Sequence, residues 1–342
     1  MVELNGKKIL VTFLMHLGDL TLTTPFIHAL RKAAPDAHIT MLVDEKLKDV
    51  VLFNPYLDEV VTIDKKGRDN SILSLWACSR HLSKLDFDVL INLHPNERCS
   101  FIDAMTSVKL RTGTTHKIFK WFWDVFTPLD RSMHAADMYL DVLQQLGVQD
   151  LSNNGLEIFP GEEHFLEAEL FWQEQNITDQ DKLIGFNIGS AVPTKRWPPE
   201  RFAEVADIFA AKGYKTVFFG GPMDEEMVAE ATGYMQTRPI MATGHFAIGG
   251  LAAAMRRCCL IITNDSGPMH VAISQKVPIV AMYGPSNPKL YGPYTKDAVI
   301  VTAQPPCQGC ADGMKHSCDD LQCMNRMTVE QVVKAAEKML EK

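Results

Sequence analysis

The sequence lacks the features that would place a protein in a membrane or on nucleic acid. No apolar run approaches the ~20 residues that a membrane-spanning helix needs. The first residues do not resemble a signal peptide, because their short apolar run is interrupted by charge. Basic residues are not in excess either, since 34 lysines and arginines stand against 42 aspartates and glutamates and the net charge is −8. We therefore expect a cytoplasmic protein with no transmembrane segment and no general affinity for nucleic acid.

Cysteine is also too sparse for a disulfide scaffold, with eight in 342 residues. A cytoplasmic location favours reduced or metal-bound thiols. Four of them, Cys307, Cys310, Cys318 and Cys323, form a Cys-rich loop at 307–323. Four thiolates this close could hold a structural zinc ion, although the spacing is not a standard paired pattern. Reduced thiols and local disulfides remain alternatives, and we predict no catalytic metal because no set of histidines and carboxylates accompanies the loop.

The sequence does have the length and the pattern of two α/β domains. Its 342 residues suit two domains of about 150 residues each. Apolar runs typical of buried strands alternate with helical segments, which predicts doubly wound parallel sheets. A turn-rich segment at 150–161 predicts a boundary that divides the chain into domains 1–158 and 159–342. A last helix is predicted after Thr328, where Gln331 completes a capping box.

In the N-terminal half, a carboxylate follows the first predicted strand. The turn after residues 8–14 contains Gly18 and Asp19 and lacks the G-x-G-x-x-G pattern of dinucleotide sites. A carboxylate at the carboxyl edge of a sheet can accept a proton from a bound hydroxyl. An aspartate that only caps the next helix would look the same. His16 in this turn and His94 after another predicted strand are either ligand contacts or polar loop residues.

A basic and aromatic segment follows at 109–123 and includes Arg111 and Lys117. A surface of this composition suits a membrane face or an anionic lipid head group. The alternative is a helix and loop whose aromatic rings pack in the core.

In the C-terminal half, four predicted strands end in turns that contain glycine or hydroxyl residues. These turns lie near Ser190, Gly221, Gly244 and Ser266. Parallel strands bring such turns to one edge of a sheet, where open α/β sheets bind their ligands. We therefore expect one concave site along this edge.

Two of these turns have the chemistry of a phosphate site. The turn at 189–198 places small residues before Lys195, so it offers backbone N–H groups, a hydroxyl and a fixed positive charge. The turn at 264–268 opens a helix whose free N–H groups and positive dipole end suit a diphosphate. The alternatives are a solvated loop in the first case and a tightly capped helix in the second.

Taken together, these motifs resemble the family 9 glycosyltransferases, the lipopolysaccharide heptosyltransferases and their relatives. Their order and spacing match the family over nearly the whole chain. The resemblance is carried by Leu17-Gly18-Asp19 with Thr24-Pro25, by Lys195-Arg196-Trp197-Pro198, by Pro278 and Tyr283-Gly284-Pro285, and above all by Asn264-Asp265-Ser266-Gly267-Pro268-Met269-His270-Val271-Ala272. It implies a GT-B fold, with two Rossmann-like domains that face a central cleft.

The resemblance also implies an activity and its residues. The enzyme would be inverting and metal-independent, would need no cofactor, and would transfer heptose from ADP-heptose to a lipid-linked lipopolysaccharide core acceptor at the inner membrane surface. Such an enzyme is cytoplasmic or peripheral on that membrane. Asp19 matches the family's general base and Lys195 its diphosphate-binding lysine, so both are catalytic candidates. Donor-binding candidates on the matching motifs are Gly18, Gly189, Ser190, Lys195, Gly221, Asp224, Asp265, Ser266, Gly267 and His270. Acceptor-side candidates are His16, His94, Arg111 and Lys117.

Three other functions remain open at this point. A GT-B transferase could use another sugar nucleotide, because sugar selectivity rests on the shape of the pocket. A sugar-nucleotide epimerase has a similar architecture and needs no acceptor. A two-lobed binding protein would have no need of Asp19. The fold alone does not decide among them.

Overall fold

The computed structural model describes residues 2–303, 318 and 320–341. In this described part of the chain, twelve strands form two sheets of six, and every pair of neighbouring strands is parallel. The chain divides into two compact units, Met1–Phe159 and Pro160–Lys342. Each unit contains one of the sheets together with the helices that cover it.

The first unit has the sheet order β3-β2-β1-β4-β5-β6. Its strands are β1 Lys8–Thr12, β2 His38–Asp44, β3 Glu59–Ile63, β4 Phe87–Asn92, β5 Val108–Gly113 and β6 Val125–Phe126. Its helices are α1 Leu17–Thr21, α2 Thr24–Ala33, α3 Ile72–Ser83, α4 Glu97–Met105 and α5 Ala135–Gln145, with 3₁₀ helices at Glu45–Val50 and Lys117–Phe122. The central strands are fully buried, as at Ile9 and Leu90, because helices cover both faces of a parallel sheet.

The second unit has the order β12-β11-β10-β7-β8-β9. Its strands are β7 Leu183–Asn187, β8 Lys215–Phe219, β9 Ile240–Met241, β10 Leu260–Asn264, β11 Ile279–Met282 and β12 Ala298–Val301. Its helices are α6 Glu162–Glu174, α7 Pro199–Ala211, α8 Glu225–Tyr234, α9 Ile248–Met255, α10 Gly267–Ser274, α11 Pro288–Tyr291, α12 Gln322–Asn325 and α13 Val329–Leu340, with 3₁₀ helices at Pro193–Lys195 and Pro222–Asp224.

The two sheets have the same topology, and this topology indicates where each unit can bind a ligand. In both, the first strand lies at the centre and the chain moves to one side before it crosses to the other. The order reverses between β1 and β4 in the first sheet and between β7 and β10 in the second. Ligands of such sheets bind outside the carboxyl ends of the strands at this reversal. These two points are therefore the places to search for functional residues.

The C-terminal helix completes the second unit. Thr328 caps α13, and its hydroxyl accepts a hydrogen bond from the Gln331 backbone while the Gln331 side chain bonds back, as the capping box predicts. The buried face of α13, which includes Val332 and Ala336, packs into the core of the second unit with Trp197. The Trp197 indole donates to the backbone oxygen of Met327 at 3.1 Å, which ties the predicted phosphate loop to the end of the chain.

One alternative for the segment at 109–123 was a helix followed by a loop, and this alternative is wrong. Its first part is β5, and a 3₁₀ helix follows at Lys117–Phe122. Among its aromatic residues, Trp123 is buried and its indole donates to the backbone oxygen of Thr112 at 3.0 Å. Trp121, in contrast, is almost wholly exposed. The strand was missed because its partly buried positions give neither a continuous apolar run nor a clean alternation.

Among the residues that the structure describes, no helix is both long enough and apolar enough to span a membrane.

Candidate active site

At the reversal point of the second sheet, two buried asparagines tie the strand ends together. The Asn187 amide, at the end of β7, donates to the hydroxyls of Thr263 at 3.0 Å and of Ser266 at 2.8 Å. The Asn264 amide, at the end of β10, donates to the backbone oxygen of Ile188 at 2.7 Å. Both asparagines are at most 1% exposed. The turns after β7 and β10 are thus held together by buried hydrogen bonds, which gives the site a rigid base.

Ser266 is the N-cap of α10, but its hydroxyl does not cap the helix. It accepts the hydrogen bond from Asn187 instead. The helix begins at Gly267, and Pro268 follows, which suits the first turn of a helix because proline has no N–H group. His270 lies in the same helix and is buried. The N-terminal end of α10, with its positive dipole, therefore lies at the sheet edge where an anion would bind.

Lys195 and Asp265 form a buried ion pair beside this helix end. The lysine Nζ lies 2.7 Å from the aspartate Oδ2, and the two side chains are 13% and 7% exposed. The Ser286 hydroxyl also donates to this carboxylate oxygen. A buried ammonium that is held by a carboxylate next to a helix N-terminus is positioned to bind phosphate oxygens.

The loop that carries Lys195 is held by its own neighbours. The Arg196 guanidinium donates to the backbone oxygen of Ser190 from Nε at 2.9 Å and from Nη2 at 2.7 Å. The Trp197 backbone N–H donates to the Asn264 side-chain oxygen at 3.1 Å. The Ser190 hydroxyl accepts from the Val192 N–H at 3.3 Å. Arg196 therefore has a structural role that its motif did not reveal.

Asp224 closes the turn after β8. Its carboxylate accepts a hydrogen bond from the Gly221 N–H at 2.9 Å. A Cβ atom at Gly189 would overlap the same carboxylate, so a larger residue there would displace the Asp224 side chain. The role of Asp224 in donor binding stays a prediction, since the structure gives this side chain a capping role of its own.

In the first unit, Asp19 lies at the carboxyl edge of β1, at the reversal point of that sheet. It lies in the first turn of α1, and the N-cap of α1 is His16. The alternative that Asp19 is an N-cap is therefore wrong. Gly18 precedes it in the same turn and is partly exposed, as Asp19 is. A carboxylate with access to solvent at this edge can meet an acceptor hydroxyl.

A buried lysine that the sequence did not point to fixes the chain just before this turn. Lys65 donates from Nζ to the backbone oxygens of Leu14 at 3.0 Å and Met15 at 2.8 Å. The same ammonium pairs with the Asp44 carboxylate at 3.1 Å. Lys65 and Asp44 thus position the turn that carries Asp19.

The acceptor-side candidates do not all lie together. Burial, together with the charges of Arg131 and His16, lowers the pKa of His94 to about 4. His94 and His16 are therefore close to each other and to Arg131, and the His94 ring is neutral at neutral pH. Arg111 instead donates to the backbone oxygens of Asp103 at 3.1 Å and of Thr106, at the end of α4. Lys117 is exposed on the 3₁₀ helix.

Asp103 forms a buried polar cluster behind this edge. Its Oδ2 accepts hydrogen bonds from the Thr12 hydroxyl at 2.9 Å and from the Asn92 amide at 2.6 Å. Burial of the carboxyl raises the pKa of Asp103 to about 8. The group therefore binds a proton in the folded protein over a pH range in which it is ionised in the unfolded chain.

This pKa shift predicts a pH-dependent stability. Because the pKa of Asp103 is higher in the folded protein than in the unfolded chain, its carboxyl contributes its full share of stability below about pH 4. This contribution is lost as the pH rises through about 8. The free energy of unfolding should fall over this range by up to roughly 5 kcal/mol. In Asp103→Asn this part of the decline should disappear. Urea denaturation at acidic and mildly alkaline pH measures it, with the exposed Asp86→Asn as control. Equal pH slopes for the wild type and Asp103→Asn would contradict the assignment.

No group of three or more potential metal ligands occurs among the residues that the structure describes. Two members of the predicted zinc cluster, Cys307 and Cys310, lie outside the described residues. Of the other two, Cys318 is exposed and Cys323 is buried. The structural zinc stays a prediction.

Known proteins match both the sequence and the fold. The model of glycosyltransferase family 9 (heptosyltransferase) matches residues 75–318. Lipopolysaccharide heptosyltransferase 3 of Escherichia coli K12 is 24% identical over 297 residues, which cover 82% of this chain and 84% of that protein. A crystal structure of a family 9 glycosyl transferase from Veillonella parvula DSM 2008 is 54% identical, with a TM-score of 0.95 and 99% of each chain covered.

The structure of ADP-heptose lipopolysaccharide heptosyltransferase II of E. coli shares the fold at lower identity. It is 21% identical, with a TM-score of 0.81 and 98% of each chain covered. Together with the two doubly wound sheets, this match confirms the predicted GT-B fold class.

Proposed function

The chain belongs to glycosyltransferase family 9, and from this membership we propose that it transfers heptose from ADP-heptose to a lipopolysaccharide core acceptor. The observation that carries the proposal is the buried Lys195–Asp265 pair beside the N-terminus of α10, at the reversal point of the second sheet. Support also comes from the curated relatives, whose names describe lipopolysaccharide heptosyltransferases.

In the proposed reaction, the second unit binds the nucleotide sugar. The Lys195 ammonium and the first turn of α10 bind the diphosphate, and Asp265 holds the ammonium in place through its 2.7 Å contact. Positive groups that are already fixed stabilise the charge that develops on the leaving diphosphate. They supply the electrostatic stabilisation that a metal ion gives in other transferases, so we propose that transfer is metal-independent.

Asp19 acts as the general base. Its carboxylate takes the proton of the acceptor hydroxyl as that oxygen forms a bond to the anomeric carbon of the donor. The bond from the anomeric carbon to the diphosphate breaks on the opposite side, so the configuration is inverted and ADP leaves. His94 is neutral at neutral pH, so it can share hydrogen bonds with an acceptor sugar without adding charge.

The proposed acceptor is lipid-linked, and we propose that the protein works in the cytoplasm at the inner membrane surface. This location brings a lipid-linked core within reach of Asp19.

Calorimetric titration with ADP, UDP and GDP tests the proposed donor. We expect ADP to bind more tightly than UDP or GDP, as the proposed ADP-heptose donor requires. EDTA should not change this affinity, because Lys195 and α10 provide the positive groups that bind the diphosphate. Preference for UDP or GDP would keep the transferase and reject heptose as the sugar. Loss of ADP binding in EDTA would reject metal independence.

A further inference from the structure

The first unit carries an unusual set of exposed apolar side chains on two segments. Ile72, Leu73 and Trp76 lie on the first turns of α3, and the first two are 73% and 78% exposed. Trp121 and its neighbours Ile118 and Phe122 lie on the 3₁₀ helix, and Trp121 is 95% exposed. We call these six residues the apolar face.

On α3 the apolar face is additional to the side that folds the protein. The inner side of the helix contributes Leu75 and Leu82 to the core of the first unit. A surface helix usually presents polar residues on its other side. Here the outer side of the first turns is apolar as well, so these residues gain nothing from the fold in water. Large apolar residues grouped on a surface mark a site of interaction.

The two segments flank the start of α4. The Arg98 guanidinium donates from Nη2 to the Asn70 side chain at 2.7 Å, just before α3. Two residues later, the Ser100 hydroxyl accepts from the His116 N–H at 2.9 Å, just before the 3₁₀ helix. The rings of Phe101 and Phe119 also meet edge to face, at 6.3 Å between centroids. One helical turn of α4 therefore contacts both of the segments that carry the apolar face.

Basic side chains accompany the apolar face although the whole chain is acidic. Residues 109–123 contain four lysines and arginines and no aspartate or glutamate, in a chain of net charge −8. Lys117 and Lys120 are exposed, and each precedes two apolar residues of the 3₁₀ helix. On α3, the Arg80 guanidinium lies over the Trp76 ring at 6.0 Å. The acidic residues nearest in sequence to these segments are half-buried Asp69, three residues before Ile72, and exposed Asp124, two residues after Phe122.

We propose that the apolar face docks on the anionic surface of a lipid bilayer. Tryptophan and aliphatic side chains with interleaved lysines are the composition of segments that lie in a membrane interface. Trp121, Ile118 and Leu73 enter the boundary between head groups and acyl chains, while Lys117 and Lys120 contact lipid phosphates. A symmetric dimer through this face would instead bring its lysines against one another, which disfavours a second copy as the occupant. The proposal does not depend on the sugar that the enzyme transfers.

Sedimentation with lipid vesicles tests the proposal. We expect the full chain to bind vesicles that contain phosphatidylglycerol and to bind pure phosphatidylcholine weakly, with an affinity that falls as salt is added. The double variant Leu73→Ser/Trp121→Ser should bind at least ~10-fold more weakly, because the groups that enter the interface are lost. Lys120→Glu should weaken binding to the anionic vesicles alone. Leu166→Ser is the matched control, since Leu166 is 58% exposed on a helix of the second unit.

Two outcomes would overturn the proposal. One is a wild-type protein that stays in solution with anionic vesicles. The other is a double variant that binds them as well as the wild type and the Leu166→Ser control do. Sedimentation velocity without lipid tests for a dimer. If the wild type self-associates, the double variant does not, and no vesicle binding is seen, the apolar face would be assigned to a second copy of the chain. None of these readouts uses sugar transfer, so they stand apart from the test of the donor.

Discussion

Replacing Asp19 with asparagine is expected to lower the turnover of sugar transfer by at least ~100-fold, because a positioned general base contributes roughly a hundred- to ten-thousandfold. Asparagine keeps the size of the side chain but cannot take the proton of the acceptor hydroxyl. Asp19 lies in the first turn of α1 in the first unit, whereas the proposed diphosphate groups lie in the second. The affinity for ADP should therefore stay unchanged.

The matched control for this variant is Asp86→Asn. Asp86 is exposed and precedes β4, so it lies at the opposite edge of the same sheet. Its replacement should leave turnover near that of the wild type. Normal turnover in Asp19→Asn would remove Asp19 from the mechanism. A loss of ADP affinity equal to the loss of turnover would give Asp19 a role in donor binding instead.

Replacing Lys195 with alanine is expected to weaken ADP binding by about 10- to 100-fold. This range follows from the roughly 1.5–3 kcal/mol that a hydrogen bond to a charged group contributes. Because Lys195 pairs with Asp265 in a buried position, the variant also leaves a carboxylate unpaired and should lose stability, on the order of 3 kcal/mol. Calorimetry of ADP binding and thermal unfolding measure the two effects separately.

A double variant distinguishes the two roles of the lysine. In Lys195→Ala/Asp265→Asn the unpaired charge is gone, so much of the stability should return while ADP affinity stays low. Lys215→Ala serves as the control, since Lys215 is exposed at the amino end of β8, away from the site. Unchanged ADP affinity in Lys195→Ala would reject its role at the diphosphate.

The parts of the fold that the sequence predicted are those with local signals. Buried central strands such as β1 and β10 are short apolar runs, and helix starts such as that at Gly267 follow capping or proline patterns. The capping box at Thr328 placed α13 within one residue. In contrast, β5 was missed because partial burial gives it no simple periodicity.

The groups that support the site had no such signal. Asn187 reaches Ser266 across 79 residues, and Lys65 holds the backbone of Met15 across 50. These contacts depend on which strands are neighbours, and no local sequence pattern specifies the order of strands in a sheet. An isolated asparagine or lysine at a strand end or in a loop looks like many others. The motif residues could be named from sequence, but the residues that position them required the structure.

The proposed heptose transfer is tested most directly by the release of ADP from ADP-heptose in EDTA, with and without a lipopolysaccharide core acceptor. We expect ADP to appear only when the acceptor is present and the heptose to be linked to the acceptor with inverted configuration. Consumption of the donor without acceptor would indicate an epimerase or a hydrolase. No reaction with ADP-heptose, alongside transfer from another sugar nucleotide, would contradict the proposed donor.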